Sequence, residues 1–203
     1  HPKKTTPAVI EFVDIAGLVK GASRGEGLGN KFLGNIRMTD AIVHVVRCFD
    51  DDNVIHVEGS TDPVRDMDTI DLELVMADLE MVERRIDKAK KAAKGDKKFL
   101  QEAADFEGLR DWLNDGKSAR SYEDVDIAAE YPDCELLSLK PVIYAANLDE
   151  DGFSNPESVS YYCQVEQRAK EQGAQVIPVC AKLEAEIAEL DGDEKKMFLD
   201  DLG

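Results

Sequence analysis

Four short apolar runs, rich in β-branched residues and separated by helix-like stretches, constrain the fold more than any other feature of this chain. They are Ala8–Val13, Ala41–Val46, Pro141–Ala146 and Gln175–Val179. Continuous apolar runs of this length, bounded by turn residues, are typical of strands buried in a parallel sheet. Because helical stretches alternate with them, the pattern predicts an α/β fold built from βαβ units.

The connection between the second and third runs is unusually long, at nearly a hundred residues. It carries two apolar stripes with helical spacing on either side of a polar turn at Gly95-Asp96. The stripes are Leu72, Val75, Leu79, Val82 and Ile86, then Phe99, Ala103, Phe106, Leu109 and Leu113. Two such stripes predict an antiparallel helical hairpin inserted into the α/β domain. We therefore divide the chain into a first part of that domain (1–61), an insertion (62–139) and a second part (140–203).

Composition limits the partners that this chain can have. The 203 residues include 43 acidic and 25 basic side chains, for a formal charge of −18. This charge argues against non-specific binding of nucleic acid over the whole surface. No apolar run is long enough to span a membrane, and the four cysteines are widely spaced. We expect a cytoplasmic protein with reduced thiols and no membrane contact.

A local cluster of lysines surrounds the turn of the predicted hairpin. Its members are Lys88, Lys90, Lys91, Lys94, Lys97 and Lys98, which we call the basic tip. On so acidic a chain, this cluster is suited to contacts with phosphate groups. A solvated helix face is the alternative interpretation.

The first apolar run ends in Asp14-Ile-Ala-Gly17, followed by glycines at 21, 25, 27 and 29. A carboxylate at the carboxyl edge of a sheet lies where open α/β folds bind ligands. In phosphate-hydrolysing folds such a carboxylate holds magnesium, commonly through water, and the glycine N–H approaches the terminal phosphate. Asp14 and Gly17 can fill these roles. A flexible loop without chemistry is the alternative.

The third and fourth runs end in polar tetrapeptides of a related kind, Asn147-Leu-Asp-Glu150 and Val179-Cys-Ala-Lys182. They resemble the Asn-Lys-x-Asp and Ser-Ala-Lys loops with which Ras-type proteins bind a guanine base. Here Leu148 replaces the lysine and Glu150 the aspartate. Each tetrapeptide is weak evidence alone. Three such motifs at the ends of successive runs, in the right order, strongly favour a nucleotide site.

Longer segments resemble the YchF (Obg-like ATPase) family of translation-associated P-loop proteins. They are Asp14–Leu33, Val45–Phe49 and Asn53–Ser60, and the likeness continues to Glu184–Leu190. The resemblance implies a partial P-loop NTPase sheet of the Ras-like type with the inserted hairpin. It also implies ATP and Mg²⁺ as ligands, ATP hydrolysis, and association with the ribosome as a nucleotide switch.

The resemblance also implies roles for individual residues. Asp14 would position magnesium through water, and Gly17 would sense the terminal phosphate. Leu18 stands where Ras-like enzymes keep a water-orienting glutamine, so His56 is the candidate catalytic residue. His44, inside an apolar run, is instead expected to be a core residue with its hydrogen bonds satisfied.

An adenine-tolerant pocket is implied by the same resemblance, as is a ribosome contact. The pocket residues are Asn147, Leu148, Glu150, Cys180, Ala181 and Lys182. Lys90, Lys94 and Lys97 of the basic tip would contact ribosomal RNA.

Family members carry a phosphate-binding loop ahead of the position of His1 and a TGS domain after that of Gly203. We therefore expect the 203 residues alone to bind ATP at best at millimolar concentration, without hydrolysis. Three other readings stay open. They are a helical interaction module without chemistry, a non-nucleotide enzyme of the doubly wound kind, and a translation factor that prefers GTP.

Overall fold

The fold is built on a three-stranded parallel sheet. The structure is a computed structural model that describes residues 7–15, 28–51, 53 and 59–202. Its strands lie in the order β1 (Ile42–Arg47), β2 (Val142–Asn147) and β3 (Gln175–Val179). Three of the four predicted strands are thus confirmed to within one residue. Because both pairings are parallel, the carboxyl ends of all three strands meet at one edge.

The helices of the described residues alternate with these strands, apart from the long insertion. They are α1 (Leu28–Arg37), α2 (Pro63–Ala92), α3 (Phe99–Asn114), α4 (Ile127–Glu130), α5 (Glu150–Ser154), α6 (Ser160–Glu171), α7 (Ala181–Glu189) and α8 (Gly192–Leu202). None of them is both long and apolar enough to cross a membrane.

The predicted strand Ala8–Val13 is not a strand in the structure. Residues 7–15 form neither helix nor strand, and Val9, Ile10 and Phe12 are 79–91% exposed. The prediction was wrong because a strand needs a neighbour for its backbone N–H and C=O groups, and no described residue pairs with this segment. At its end, Ile15 packs against the cluster formed by α1 and α2.

One face of the sheet packs on α6 and on the start of α2. Its buried cluster includes Val46, Tyr144 and Ala146 from the strands, Val165 from α6 and Met67 from α2. The opposite face carries Val43, Val45 and Ile177, which are 46–62% exposed. Since Met67 belongs to the sheet cluster, the first turns of α2 pack as part of the α/β domain.

His44 lies on the packed face of β1, next to Tyr144 with 5.6 Å between ring centroids. Its Nδ1 atom is buried without a hydrogen-bond partner among the described residues, so the expectation of a satisfied core histidine was wrong. Burial lowers the pKa of His44 below its ordinary value of 6.5. This effect outweighs the negative charges of Asp71 and Asp66, which raise the pKa. Residue 44 is therefore neutral in the folded chain near pH 7.

This lowered pKa predicts a loss of stability at mildly acidic pH. Below pH 6.5 the unfolded chain gains a proton at His44 before the folded chain does. The free energy of unfolding should then fall with pH, by at most about 1.4 kcal/mol per pH unit. Above pH 6.5 this contribution is fully present. Urea unfolding between pH 5 and 7.5 should show the slope in the native chain and a shallower one in His44→Phe. Parallel curves would contradict the assignment.

The insertion is an antiparallel hairpin of α2 and α3, as predicted. Asp62 caps α2 by accepting the N–H of Arg65 at 3.0 Å, with Pro63 in the first turn. The buried residues shared by the two helices include Val82, Ile86, Phe106 and Leu109. Leu72, the first position of the predicted stripe, is 50% exposed and outside the seam. The seam therefore begins at Val75, after the part of α2 that packs on the sheet.

Two charged residues fasten the insertion to the segment that returns to the sheet. Arg85 of α2 binds Glu102 of α3 at 2.6 Å and Asp133 at 2.6 Å. Asp78, fully buried, accepts the backbone N–H groups of Leu137 and Ser138, each at 2.7 Å. Since β2 begins four residues after Ser138, the second contact fixes where the chain re-enters the sheet.

Candidate functional site

The loops after β2 and β3 meet at the carboxyl edge of the sheet. The Leu148 N–H donates to the carbonyl of Val179 at 2.8 Å. The side-chain oxygen of Asn147 accepts the N–H of Ala181, the first residue of α7, at 3.0 Å. Two hydrogen bonds therefore join two of the predicted base-binding motifs directly. One is formed between backbone groups, and the other uses the Asn147 side chain.

A third contact joins the same loops through their side chains. Glu150 opens α5, whose cap, Asp149, accepts the N–H of Gly152 at 2.8 Å. The Glu150 carboxylate forms an ion pair with the ammonium of Lys182, and this partner raises the pKa of Lys182. Both side chains are well exposed, at 47% and 71% for Glu150 and Lys182. The pair thus lies at the surface, where a ligand could reach it.

Two of the predicted pocket residues face the protein interior. Leu148 is 2% exposed and belongs to the sheet cluster, where it continues the packed face of β2 after Tyr144 and Ala146. Cys180 is 1% exposed. Residues 148 and 180 can therefore meet a ligand only through backbone atoms, whereas Asn147, Glu150 and Lys182 can do so through side chains.

The phosphate end of the predicted site is described only in part. Asp14 is exposed, one residue before the anchored Ile15, and Gly17 and His56 lie outside the described residues. In the described part of the chain, no group of three or more His, Cys, Asp and Glu side chains could hold a metal ion. An exposed carboxylate such as Asp14 suits Mg²⁺, which usually takes one or two protein carboxylates together with phosphates and water.

Described residues on both sides of the segment that contains His56 are held by side-chain hydrogen bonds. The carbonyl of Phe49 accepts both Arg47 Nε at 2.9 Å and the Thr61 hydroxyl at 3.4 Å. Arg65 donates to the carbonyl of Ser60 at 2.6 Å, and the Tyr161 hydroxyl donates to Asp50 at 3.1 Å. Arg47 lies in the segment Val45–Phe49 that resembles the YchF family, but nothing in the sequence indicates which atom its side chain contacts.

The basic tip lies at the far end of α2 and at the turn into α3. Lys90 is paired with Glu107 at 2.5 Å, and Lys98 with Asp96 at 3.1 Å. Lys94 and Lys97 are exposed, and neither forms an ion pair with any described residue. Lys94 and Lys97 therefore offer a partner more unpaired positive charge than Lys90 does.

A cleft of about 590 Å³ lies elsewhere, lined by residues that include Arg37, Met38, Leu139 and Lys140. These residues precede β1 and β2, so the cleft is at the amino ends of the strands. It is separate from the carboxyl edge that joins the predicted nucleotide motifs.

Comparison with known proteins identifies relatives along the whole chain. A family model described as "50S ribosome-binding GTPase" matches residues 2–84. The "Ribosome-binding ATPase YchF" of Bacillus subtilis is 49% identical over 205 residues, which cover all of this chain and 56% of the relative. The protein of the same name from Pasteurella multocida is 50% identical over 204 residues, covering all of this chain and 55% of the relative.

A solved structure shows the same fold. The Schizosaccharomyces pombe YchF GTPase matches with a TM-score of 0.76 and 34% identity, over 93% of this chain and 52% of that one. The chain spans about half the length of the curated relatives it matches. Because about half of its residues are identical to those of the bacterial relatives along its entire length, the chain belongs to the YchF family.

Proposed function

We propose that this chain supplies the base-binding loops and the helical insertion of a protein that binds and hydrolyses ATP and acts as a ribosome-associated switch in the cytoplasm. The joined loops at the carboxyl edge carry the proposal, through the contacts Asn147–Ala181 and Glu150–Lys182. The names of the bacterial relatives support both the ATPase activity and the ribosomal partner. We call a protein that contains this chain and extends to the length of those relatives the full-length form.

The base is selected at residue 150. An aspartate at this position of a Ras-type loop accepts hydrogen bonds from the N1 and N2 donors of guanine. Residue 150 is a glutamate, whose carboxylate lies on a longer side chain and is paired with Lys182, and adenine offers no such donor pair. Asn147 and Lys182 complete the rim that the base would contact.

Glu150→Asp should therefore move the preference of the full-length form toward GTP by about tenfold, because one bidentate contact is worth about 1 to 3 kcal/mol. Leu148 stays unchanged in this test, since a lysine there would place an ammonium in the buried sheet cluster. Titration calorimetry with ATP and GTP measures the change. Glu157→Asp, an exposed glutamate beyond the loop, is the matched control and should have no effect. An unchanged preference in Glu150→Asp would refute the role of residue 150.

At the phosphates, Asp14 would hold Mg²⁺ through water, and the backbone of Gly17 would approach the terminal phosphate. The ion would neutralise charge that develops on the phosphates during transfer. His56 would orient or deprotonate the attacking water, because Leu18 has no polar group for that task. Arg47 and Thr61 would hold the loop of His56 through the carbonyl of Phe49.

The basic tip would contact ribosomal RNA. Reversing Lys90, Lys94 and Lys97 to glutamate should weaken ribosome binding and reduce its salt dependence, because each lost phosphate contact lowers the number of released counterions. Reversing Lys117, Lys170 and Lys195 gives the same change in net charge away from the tip, and should leave the salt slope in place. Ribosome pelleting at several salt concentrations distinguishes them. If the salt dependence of ribosome binding is the same in both triple variants, the basic tip is a solvated helix face and does not contact ribosomal RNA.

A GTP-preferring translation factor is the second candidate. The family model and the solved relative are both described as GTPases, which favours it. The two candidates differ in one measurable quantity, the ratio of ATP and GTP affinities. A helical module without chemistry predicts instead that neither nucleotide changes the thermal stability of the full-length form.

A further inference from the structure

Three contacts tie the loop after β2 to the loop after β3, and they differ in kind. Leu148 N–H to Val179 C=O and Ala181 N–H to Asn147 involve backbone groups and fix the spacing of the loops. The third, Glu150 to Lys182, joins two flexible side chains. It contributes little to holding the loops together, because the first two already do so and exposed ion pairs are weak. Its main consequence is the direction in which the Glu150 carboxylate points.

That direction matters for base recognition. A carboxylate can accept guanine's N1 and N2 protons only if its oxygens are free to turn toward the base. In this structure the Glu150 carboxylate is drawn to an ammonium on the first turn of α7. We propose that Lys182 is a specificity-determining residue, which holds the Glu150 carboxylate on α7 and so withholds from guanine the acceptor it needs. The inference rests on the proposed function and assigns the cause of its base preference.

Side-chain length alone is the competing explanation. If the extra methylene of Glu150 is sufficient to exclude guanine, removing Lys182 has no effect on base preference. If the ion pair is the cause, removing Lys182 releases the carboxylate and improves GTP binding relative to ATP. Shortening residue 150 to aspartate favours GTP under both explanations, so only a change at 182 separates them.

Lys182 is well placed for a clean test. Its side chain is 71% exposed and lies on α7 beside Glu186, which also raises the pKa of Lys182. A methionine keeps the length and the helix propensity of lysine without its charge. An arginine keeps the charge, so it should preserve the pairing with Glu150.

The experiment measures Kd for ATP and for GTP in the full-length form by titration calorimetry. In Lys182→Met, the ratio of the GTP Kd to the ATP Kd should fall about twofold to fivefold, the range that an exposed ion pair supports. Lys182→Arg should keep the native ratio. The double variant Lys182→Met with Glu150→Gln should not show the lowered Kd ratio of Lys182→Met, because no carboxylate remains to be released. Lys170→Met, at an exposed lysine of α6, is the matched control and should leave the ratio unchanged.

The salt dependence of the GTP-to-ATP Kd ratio provides a second readout. ATP and GTP carry the same charge, so salt changes their affinity ratio only through protein groups that treat the bases differently. High salt should lower the GTP-to-ATP Kd ratio in the native protein and leave it constant in Lys182→Met. A native protein that binds ATP, with a ratio unaltered by Lys182→Met and by salt, would overturn the inference alone. A native protein that binds no ATP would overturn the proposed function, and the inference with it.

Discussion

Replacement of His56 by alanine should lower the rate of ATP hydrolysis by the full-length form about 100-fold or more, while the affinity for ATP stays close to native. The expectation follows from the loss of the group that would position and deprotonate water, a contribution typically worth two to four orders of magnitude. Residue 18 is a leucine where Ras-type enzymes have a glutamine, so the chain offers no glutamine at that position to take over. Single-turnover hydrolysis, together with calorimetric ATP binding, separates the rate from the affinity.

Glutamine at position 56 gives the matched comparison. Its amide can orient a water molecule, as in Ras-type enzymes, but it cannot accept a proton at neutral pH. His56→Gln should therefore retain part of the rate that His56→Ala loses, and its rate should not fall as pH drops through the range where histidine titrates. If His56→Ala hydrolyses ATP at the native rate, another group positions the water and the catalytic assignment is wrong.

Replacement of Asp78 by alanine should destabilise the chain by about 3 kcal/mol. The carboxylate is fully buried and accepts the N–H groups of both Leu137 and Ser138, so its removal leaves two buried donors without partners. The loss of stability should be largest around residues 137 and 138, where the insertion rejoins the sheet. Chemical denaturation measures the loss of free energy, and hydrogen exchange should show faster exchange at the amides of residues 137 and 138.

Two further variants calibrate this result. Asp78→Asn keeps one acceptor oxygen and should fall between the native protein and Asp78→Ala. Glu80→Ala removes an exposed carboxylate from the same helix, paired with Arg84 at 3.8 Å, and should change stability much less. Similar losses in Asp78→Ala and Glu80→Ala would show that the two backbone contacts do not stabilise the junction.

The parts of the fold that depend on local pattern could be predicted from the sequence. Ile42–Arg47, Val142–Asn147 and Gln175–Val179 are strands because each is a short apolar run between turn residues. The hairpin followed from helical spacing on both sides of Gly95. Ala8–Val13 has an equally good local pattern, but whether it pairs depends on a neighbouring strand, which no local pattern contains.

The side-chain directions in the candidate site were harder to predict. The motif comparison placed Leu148 at a ligand, although Val142, Tyr144, Ala146 and Leu148 share one buried face. That two-residue alternation is visible in the sequence and could have shown that residue 148 points to the core. The contacts of Arg85 with Asp133 and of Asp78 with Leu137 join positions 48 and 59 residues apart, and no sequence spacing signals them.

The central claim is that the loops carrying Asn147, Glu150 and Lys182 bind a base and prefer adenine. A displacement titration tests it most directly, with ATP titrated into the full-length form that has first been equilibrated with GTP. We expect ATP to displace GTP, with an affinity for ATP that is about tenfold tighter than that for GTP, or more. GTP binding as tight as ATP, or tighter, would contradict it.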